Sequence, residues 1–282
     1  MPEAPEVKLI VDQLSPLLSK QTIVKATILN GKYLSKFQIP HWNHFLHSLP
    51  NQIVSFQCHG KFLWIQLANG FAIGIGLGMS GRLHLTPTPH NHIQLELDNG
   101  LTVCFDDQRR FGNWAIHLTP ASLQTKINQL GISLLHSTSD ELQLAVQKLY
   151  PNHLSKNICV FLMSQDLIAG IGNYLVSESL YQMTIHPLCK VSHLTVNQLI
   201  ELIQVVQAIA LQSYQVQSEF GATYRNTQQT TRSPSKYRDV FQIYGKTMDP
   251  LGNPVRKIKT PNGRNTSYVV ETLPIIDDRI SI

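Results

Sequence analysis

Cysteine is scarce and unpaired in this sequence. The 282 residues hold four, Cys58, Cys104, Cys159 and Cys189, and no two form a CxxC pair. Each sits among apolar neighbours, so buried free thiols are expected. A disulfide framework and a cysteine-ligated zinc finger are not. No apolar run reaches the roughly 20 residues that span a bilayer. The start, MPEAPEVK, has no apolar stretch of a secretory signal. A soluble, intracellular protein with no membrane partner is expected. Internal repeats and low-complexity tracts are missing too, which excludes solenoids and fibrous proteins.

Hydrophobic residues make up 43% of the chain, enough for a sizeable core. The net charge of +5 hides an uneven distribution. From Arg225 to Arg264 nine basic residues face two acidic ones, while the remainder carries fourteen basic and sixteen acidic. A +7 segment on a −2 body points to a polyanion-binding arm.

The hydropathy pattern changes twice along the chain. Val7, Ile10, Val11 and Leu14 predict a helix over 4–18, ending near Pro16. Between Val24 and Leu118, short β-rich runs follow one another: VSFQC, KFLWIQL, FAIGIGL, RLHL, HIQLEL and LTVCF. Turns such as Asn69-Gly70 and Asn99-Gly100 separate them. One helical insertion is expected over 41–49. This half reads as a β-sandwich or barrel. From Pro120 the period becomes helical, over 121–130, 138–149, 154–164, 173–183 and 194–217, with Thr195 as cap of the last. Residues 219–239 read as a polar loop. VFQIYG, a turn through Asp249-Pro250-Leu251-Gly252-Asn253, and PVRKIK predict a hairpin. A second turn, Pro261-Asn262-Gly263, leads to Arg264 and the strand TSYVV.

The extreme N-terminus allows two readings. Removal of Met1 would leave Pro2 as a secondary amine, and α-amino groups titrate at roughly 7.7–8.0. Such an amine can attack an aldehyde-like carbon, with Glu3 beside it to move protons. Met-Pro-Glu is also an ordinary helix start, because Pro suits the first helical position and acids suit the first turn. On these residues alone the helix start is the commoner meaning.

Four further segments bear on that choice: GKFLWIQL around Lys61, LGMSGRL around Met79, DDQRRFGNW around Arg109, and AGIGNYLVSESLYQMTIHP around Asn173. With MPEAPEV at the start and GRNTSYV near the end, the chain resembles the formamidopyrimidine-DNA glycosylase / endonuclease VIII family over nearly its whole length. The resemblance implies an α+β multi-domain fold. It has an N-terminal β-sandwich opened by a catalytic helix (1–120), a helical lobe with a helix–two-turn–helix motif (121–218), and a lesion loop with a β-hairpin finger (219–282).

The resemblance also implies base excision repair by a bifunctional glycosylase and abasic-site lyase. Pro2 would attack C1′ of the damaged nucleotide, expel the base and hold the sugar as a Schiff base. Glu3 would transfer protons, Lys61 would touch phosphate and assist elimination, and Glu6 would support the site or be a simple first-turn acid. β- and δ-elimination would leave a one-nucleotide gap. Because the base must leave the stack, something must fill the hole and hold the kink. Met79, Arg109 and Phe111 match that void-filling trio, and their alternative fate is the core. The trio resembles the formamidopyrimidine branch, as does Gly221-Ala222-Thr223-Tyr224-Arg225, a lesion-closing loop, so 8-oxoguanine and formamidopyrimidines are the expected lesions. Asn226 departs from that loop pattern. Asn173 and His90 match phosphate contacts, and Lys156 lies near one. A glycine-flanked helix start suits an anion at Asn173, although an N-cap asparagine would look the same.

Most relatives so resembled close the finger with four zinc-ligating cysteines. Here none follows Cys189, and Asp249-Pro250-Leu251-Gly252-Asn253-Pro254 stands in place of one pair. A zincless finger is therefore expected, held by strand pairing and by Val255, Ile258, Tyr268 and Val269, with Arg264 as its phosphate-contacting arginine and an aid to δ-elimination. His41, His44 and His47 lie on one short helix, and three ligands from one helix rarely close a site. No metal and no cofactor are expected. The expected partner is damaged double-stranded DNA, and the expected state a monomer. The location would be cytoplasmic, at the nucleoid, in a bacterium, or nuclear or organellar in a eukaryote. Two rival readings remain: a preference for oxidised pyrimidines, and a non-catalytic DNA-binding relative on the same scaffold.

Overall fold

The computed structural model describes residues 2–35, 37–220, 241–261 and 266–270. Contacts group them into two compact units, Met1–Glu3 with Val7–Gln129 and Ala4–Glu6 with Leu130–Ile282.

The first unit begins with helix α1 (Ala4–Leu18), whose first three residues group with the second unit. The helix covers the expected residues 4–18 and includes Pro16 in its last turn. A proline in the last turn forfeits one backbone bond, and burial of Leu14 and Leu18 holds the turn. Strand β1 (Thr22–Ile28) follows, then the short helices α2 (Lys32–Ser35) and α3 (Trp42–His47). Next come β2 (Asn51–His59), β3 (Phe62–Leu67), β4 (Ala72–Gly76), β5 (Arg82–His84), β6 (Asn91–Leu97), β7 (Thr102–Asp106) and β8 (Asn113–His117). Helix α4 (Pro120–Asn128) closes the unit, with Thr119 and Ser122 bonded reciprocally at its start.

All neighbouring strands of this sheet pair antiparallel, in the order β5-β7-β6-β1-β2-β3-β4-β8. The β1–β2 seam is short, with Thr22↔Gln52 and Ile23↔Asn51 in register. Register shifts at Ile23/Lys25 and Ile53/Ser55 flank it. Such irregularities bend a sheet, and here they let its two halves face each other as a sandwich. In β6, Ile93, Leu95 and Leu97 are buried while Gln94 and Glu96 are only half-buried, the period of two that one buried face requires. Ile23, Ile53, Leu63, Ile65, Ile73, Ile75 and Phe105 are fully buried between the halves. Each such side chain contributes roughly 1.5–3 kcal/mol relative to exposure.

The second unit is helical. A two-residue strand β9 (Ile132–Ser133) precedes α5 (Ser139–Leu149), α6 (Ile158–Met163), the strand β10 (Ile168–Ala169), α7 (Asn173–Gln182) and α8 (Val196–Phe220). Thr138 and Glu141 close the start of α5 reciprocally, and Thr195 and Gln198 do the same for α8. Helix α6 starts four residues later than its apolar pattern suggests. The Asn157 Oδ1 accepts the Cys159 and Val160 N–H groups, and its Nδ2 donates to the Pro187 and Cys189 carbonyls. Residues 154–157 are thereby drawn into a turn. Leu134, Phe161, Leu162, Leu175, Leu199 and Val206 form the centre of this core.

The C-terminal hairpin differs from expectation in its first strand. It is built from β11 (Val255–Lys259) and β12 (Thr266–Val270), paired antiparallel from Val255↔Val270 to Lys259↔Thr266. Phe241–Gly245, predicted as a strand, is a series of turns. The reason is a buried carboxylate. Glu178 on α7 accepts the backbone N–H groups of Gln242 (2.8 Å), Ile243 (3.1 Å) and Tyr244 (2.7 Å). Three consecutive donors converging on one group cannot also point alternately outward in a ladder. Phe241 and Tyr244 pack on Tyr174, at ring separations of 4.9 and 6.1 Å. The cysteines are all free, three of them buried and Cys58 half-buried. Among the described residues no helix is long and apolar enough to cross a membrane.

Candidate active site and DNA-contact residues

Pro2 and Glu3 head α1, and both are buried. The Glu3 carbonyl accepts the Val7 N–H and so starts the helical ladder. Lys61 lies at the two-residue turn joining β2 to β3, half-buried, beside Gly60. Gly60 takes φ +58°, a left-handed conformation that glycine adopts without strain. Lys61 is thus held at the tip of a tight hairpin rather than on a strand.

Glu6 belongs to the second unit and is buried there. Its Oε1 accepts from the Tyr174 hydroxyl at 3.2 Å and from the Gln217 Nε2 at 2.7 Å. The Ser213 hydroxyl bonds both donors. The head of α1 is thereby tied to α7 and α8 through neutral donors on a carboxylate, a strong kind of hydrogen bond.

Met79 and the Arg109–Phe111 loop come together in the first unit, although 30 residues separate Met79 from Arg109 in sequence. The Ser80 hydroxyl donates to Asp107 Oδ1 at 2.5 Å, and the Arg109 N–H donates to Ser80 Oγ at 2.8 Å. Met79 is half-buried, and Phe111 is 57% exposed. An aromatic this exposed is not serving the core. The Arg109 guanidinium carbon lies 5.2 Å from the Phe111 ring centroid, within cation–π range. His90 is exposed in the turn before β6, with its N–H on the Thr88 hydroxyl.

Lys156 and Asn173 precede or begin helices of the second unit. Lys156 stands one residue before the α6 cap, half-buried. Asn173 is the first residue of α7, after Gly172, which offers no side-chain cap. The Asn173 Oδ1 is buried with no hydrogen-bond partner among the described residues. Asn173 itself is half-buried, and backbone N–H groups point outward from the uncapped helix start it heads, which is chemistry that suits an anion. Thr223, Tyr224, Arg225 and Arg264 lie outside the described residues.

The donors for a zinc finger do not fit. No cysteine follows Cys189, and the described residues hold no cluster of His, Cys, Asp or Glu placed for a metal. At the turn below the hairpin, Asp249 does other work. Its Oδ1 accepts the Leu251 and Asn253 N–H groups, and its Oδ2 accepts from the Tyr181 hydroxyl and the Asn253 side chain. Burial alone would raise its pKa, but these hydrogen bonds prevail and lower it.

Reading the sequence missed three of these groups: Ser80, Asp107 and Glu178. Each had a visible sign. Ser80 and Asp107 stand inside the LGMSGRL and DDQRRFGNW segments. Glu178 is the one acid on α7, whose residues from Tyr174 to Leu180 are all buried. A lone acid among buried residues needs partners.

Residues 1–114 match the formamidopyrimidine-DNA glycosylase N-terminal domain, and residues 133–220 match its H2TH domain. The chain is 31% identical over 270 residues to the formamidopyrimidine-DNA glycosylase of Cronobacter sakazakii, covering 93% of each chain. It is 30% identical over 277 residues to the enzyme of that name from Escherichia coli strain 536, again covering 93% of each. Among solved structures, the MutM (Fpg) protein of Thermus thermophilus superposes with a TM-score of 0.78 at 23% identity, over 96% of this chain and 98% of that one. The Lactococcus lactis enzyme, non-covalently bound to DNA containing an AP site, gives 0.76 at 22% identity over 96% and 98%. The sandwich, the helical unit and the terminal hairpin agree with that fold. The chain belongs to the formamidopyrimidine-DNA glycosylase family, the DNA glycosylase/lyases of base excision repair with an H2TH DNA-binding domain.

Proposed function

We propose that this chain excises oxidised purines, 8-oxoguanine and formamidopyrimidines, from double-stranded DNA and then cleaves the strand. Pro2 is the nucleophile. Its nitrogen attacks C1′, the base departs with its bonding electrons, and the ring-opened sugar stays joined as a Schiff base. Glu3 moves the protons between sugar and base. Lys61 and Arg264 hold the flanking phosphates during β- and δ-elimination. His90, Lys156 and Asn173 grip the backbone. Met79, Arg109 and Phe111 occupy the space the extruded nucleotide leaves, and Thr223, Tyr224 and Arg225 close over the damaged base. The finger keeps its shape without zinc.

One observation carries this reading: an exposed Phe111 under the Arg109 guanidinium, on a loop joined to the Met79 turn. A wedge and a hydrogen-bonding cation on one support suit a kinked duplex with an orphaned base. The names of the relatives agree, and one Lactococcus lactis complex contains Fapy-dG DNA. A second reading has its own support, because another Lactococcus lactis complex contains DNA with an oxidised pyrimidine. Cleavage of matched duplexes bearing 8-oxoguanine, formamidopyrimidine or thymine glycol separates the two. Borohydride should trap wild-type protein on the cleaved duplex, and Pro2→Gly should lose most of the trapped product. Equal trapping by both proteins would remove Pro2 from the mechanism.

A further inference from the structure

We infer that Ser80 and Asp107 are positioning residues that make the Met79 turn and the Arg109–Phe111 loop a single wedge, inserted as one body. The inference rests on the proposed void-filling role of Met79, Arg109 and Phe111.

The geometry is a relay between two loops. Asp107 is 2% exposed, and the described ion pairs do not include it. Its Oδ2 accepts the Gly112 N–H at 2.6 Å, which closes its own loop. Its Oδ1 reaches the other loop, taking the Ser80 hydroxyl proton at 2.5 Å. A hydroxyl has one proton to give, so that bond fixes its rotor. The freed lone pair of Ser80 then receives the Arg109 N–H at 2.8 Å. The direction of both bonds is set by chemistry, because a backbone N–H only donates and a carboxylate only accepts.

The support continues on either side. The Asp107 carbonyl accepts the Arg110 N–H at 3.0 Å, and Arg110 takes the left-handed φ of +58°. Non-glycine residues hold that conformation only when their surroundings fix it. The His92 Nε2 lies 3.0 Å from the same carbonyl, and the Tyr33 hydroxyl donates to the Gly112 carbonyl at 2.9 Å. Gly78 makes the second junction between the loops. With φ +60°, a Cβ there would stand 2.5 Å from the Phe111 carbonyl carbon. The turn and the loop therefore touch at Gly78 against Phe111 and at Ser80 against Asp107 and Arg109. If Asp107 merely capped its own loop, Gly112 would suffice, and Ser80 would be free to face water.

The test follows insertion rather than chemistry. A duplex carrying a tetrahydrofuran abasic analogue, with 2-aminopurine on its flank, is mixed with full-length wild type, Ser80→Ala, Ser80→Thr, Phe111→Ala and the Ser80→Ala/Phe111→Ala double variant. Ser80→Ala should slow the fluorescence rise by about tenfold or more, the lower bound for loss of a hydrogen bond to a charged group. Ser80→Thr keeps the hydroxyl and should recover most of the rate. The double variant should be no slower than Phe111→Ala alone, because coupled residues are not additive. A wild-type rate for Ser80→Ala beside a slow Phe111→Ala would overturn the brace and leave the wedge intact. So would a Ser80→Thr rate as slow as Ser80→Ala. A wild-type rate for Phe111→Ala would instead overturn the wedge reading, and the brace with it. Thermal unfolding separates a failure to fold, and independent, additive effects in the double variant would also overturn the coupling.

Discussion

Replacing Glu178 offers a graded test of how the second unit holds the segment that leads into the hairpin. The Glu178 carboxylate is 5% exposed and accepts three successive backbone N–H groups. Alanine removes both acceptor oxygens and with them all three bonds. The Ile243 N–H sits in a residue only 1% exposed, and an orphaned buried donor costs about 1–3 kcal/mol. Tyr244 is half-buried and Gln242 exposed, so water can partly replace their bonds. The sum for Glu178→Ala is about 2–4 kcal/mol. Glutamine behaves differently. Ile243 and Tyr244 share Oε1, which the amide oxygen can supply, and only the Gln242 bond on Oε2 is lost. Glutamine also removes a desolvated charge. Burial, which outweighs the three backbone bonds and Lys246, raises the Glu178 pKa above the ordinary value. The folded state therefore binds the proton more tightly than the unfolded chain does. That stabilisation is full below the unfolded value of about 4.3 and is lost as pH rises through the folded pKa. At neutral pH, Glu178→Gln should consequently cost about 1 kcal/mol or less. The wild type should lose stability relative to Glu178→Gln as pH rises across that window. Hydrogen exchange of the 242–244 amides, beside thermal unfolding, reads both effects. Exchange in Glu178→Gln as fast as in Glu178→Ala would refute the reasoning, because it would mean the charge and not the acceptor geometry holds the segment.

Three shorter predictions follow from other groups. His186 is buried, its Nδ1 accepts the Leu188 N–H, and burial followed by the Arg256 charge lowers its pKa. Its contribution should be present above the unfolded value of about 6.5 and fall away as pH drops through the lower folded pKa; thermal unfolding of wild type and His186→Gln between those limits should show the wild type alone losing ground. Gly78→Ala forces a side chain into a left-handed conformation against the Phe111 backbone and should cost about 1–3 kcal/mol; an unchanged melting temperature would contradict the close approach. Elemental analysis of purified protein should find no stoichiometric zinc, and one tightly held zinc per chain would end the zincless proposal.

The fold was largely legible because its signals are local. Alternation marks β6 through Ile93, Leu95 and Leu97, and three-to-four spacing marks α5, α7 and α8. Thr195 signals its helix by the same hydroxyl that caps it. The failures share a cause: a distant group overrode a local pattern. VFQIYG alternates like a strand, yet Glu178, more than sixty residues earlier, bends it into turns. The apolar run from residue 154 looks helical, but Asn157 draws its start into a turn by bonding Pro187 and Cys189. β1 and β8 give no clear strand signal, because neither forms a long apolar run.

The candidate site was legible by residue type and illegible by support. Lys61, Met79, Arg109, Phe111 and Asn173 stand out because their segments resemble a family. What holds them does not repeat along the chain and leaves no period. Asp107 holds the Met79 turn and the Arg109–Phe111 loop, and three more buried carboxylates fix other parts of the fold in the same way: Glu6, Glu178 and Asp249. Each takes hydrogen bonds from neutral donors, across 168 and 211 residues for Glu6, 27 for Asp107 and 68 for Asp249. An apolar contact tolerates sliding, whereas a buried carboxylate that loses its donors is left as an uncompensated charge. Such groups therefore add little net stability but heavily penalise every arrangement except one. The constraint therefore sits at acids that a reading for catalytic residues passes over.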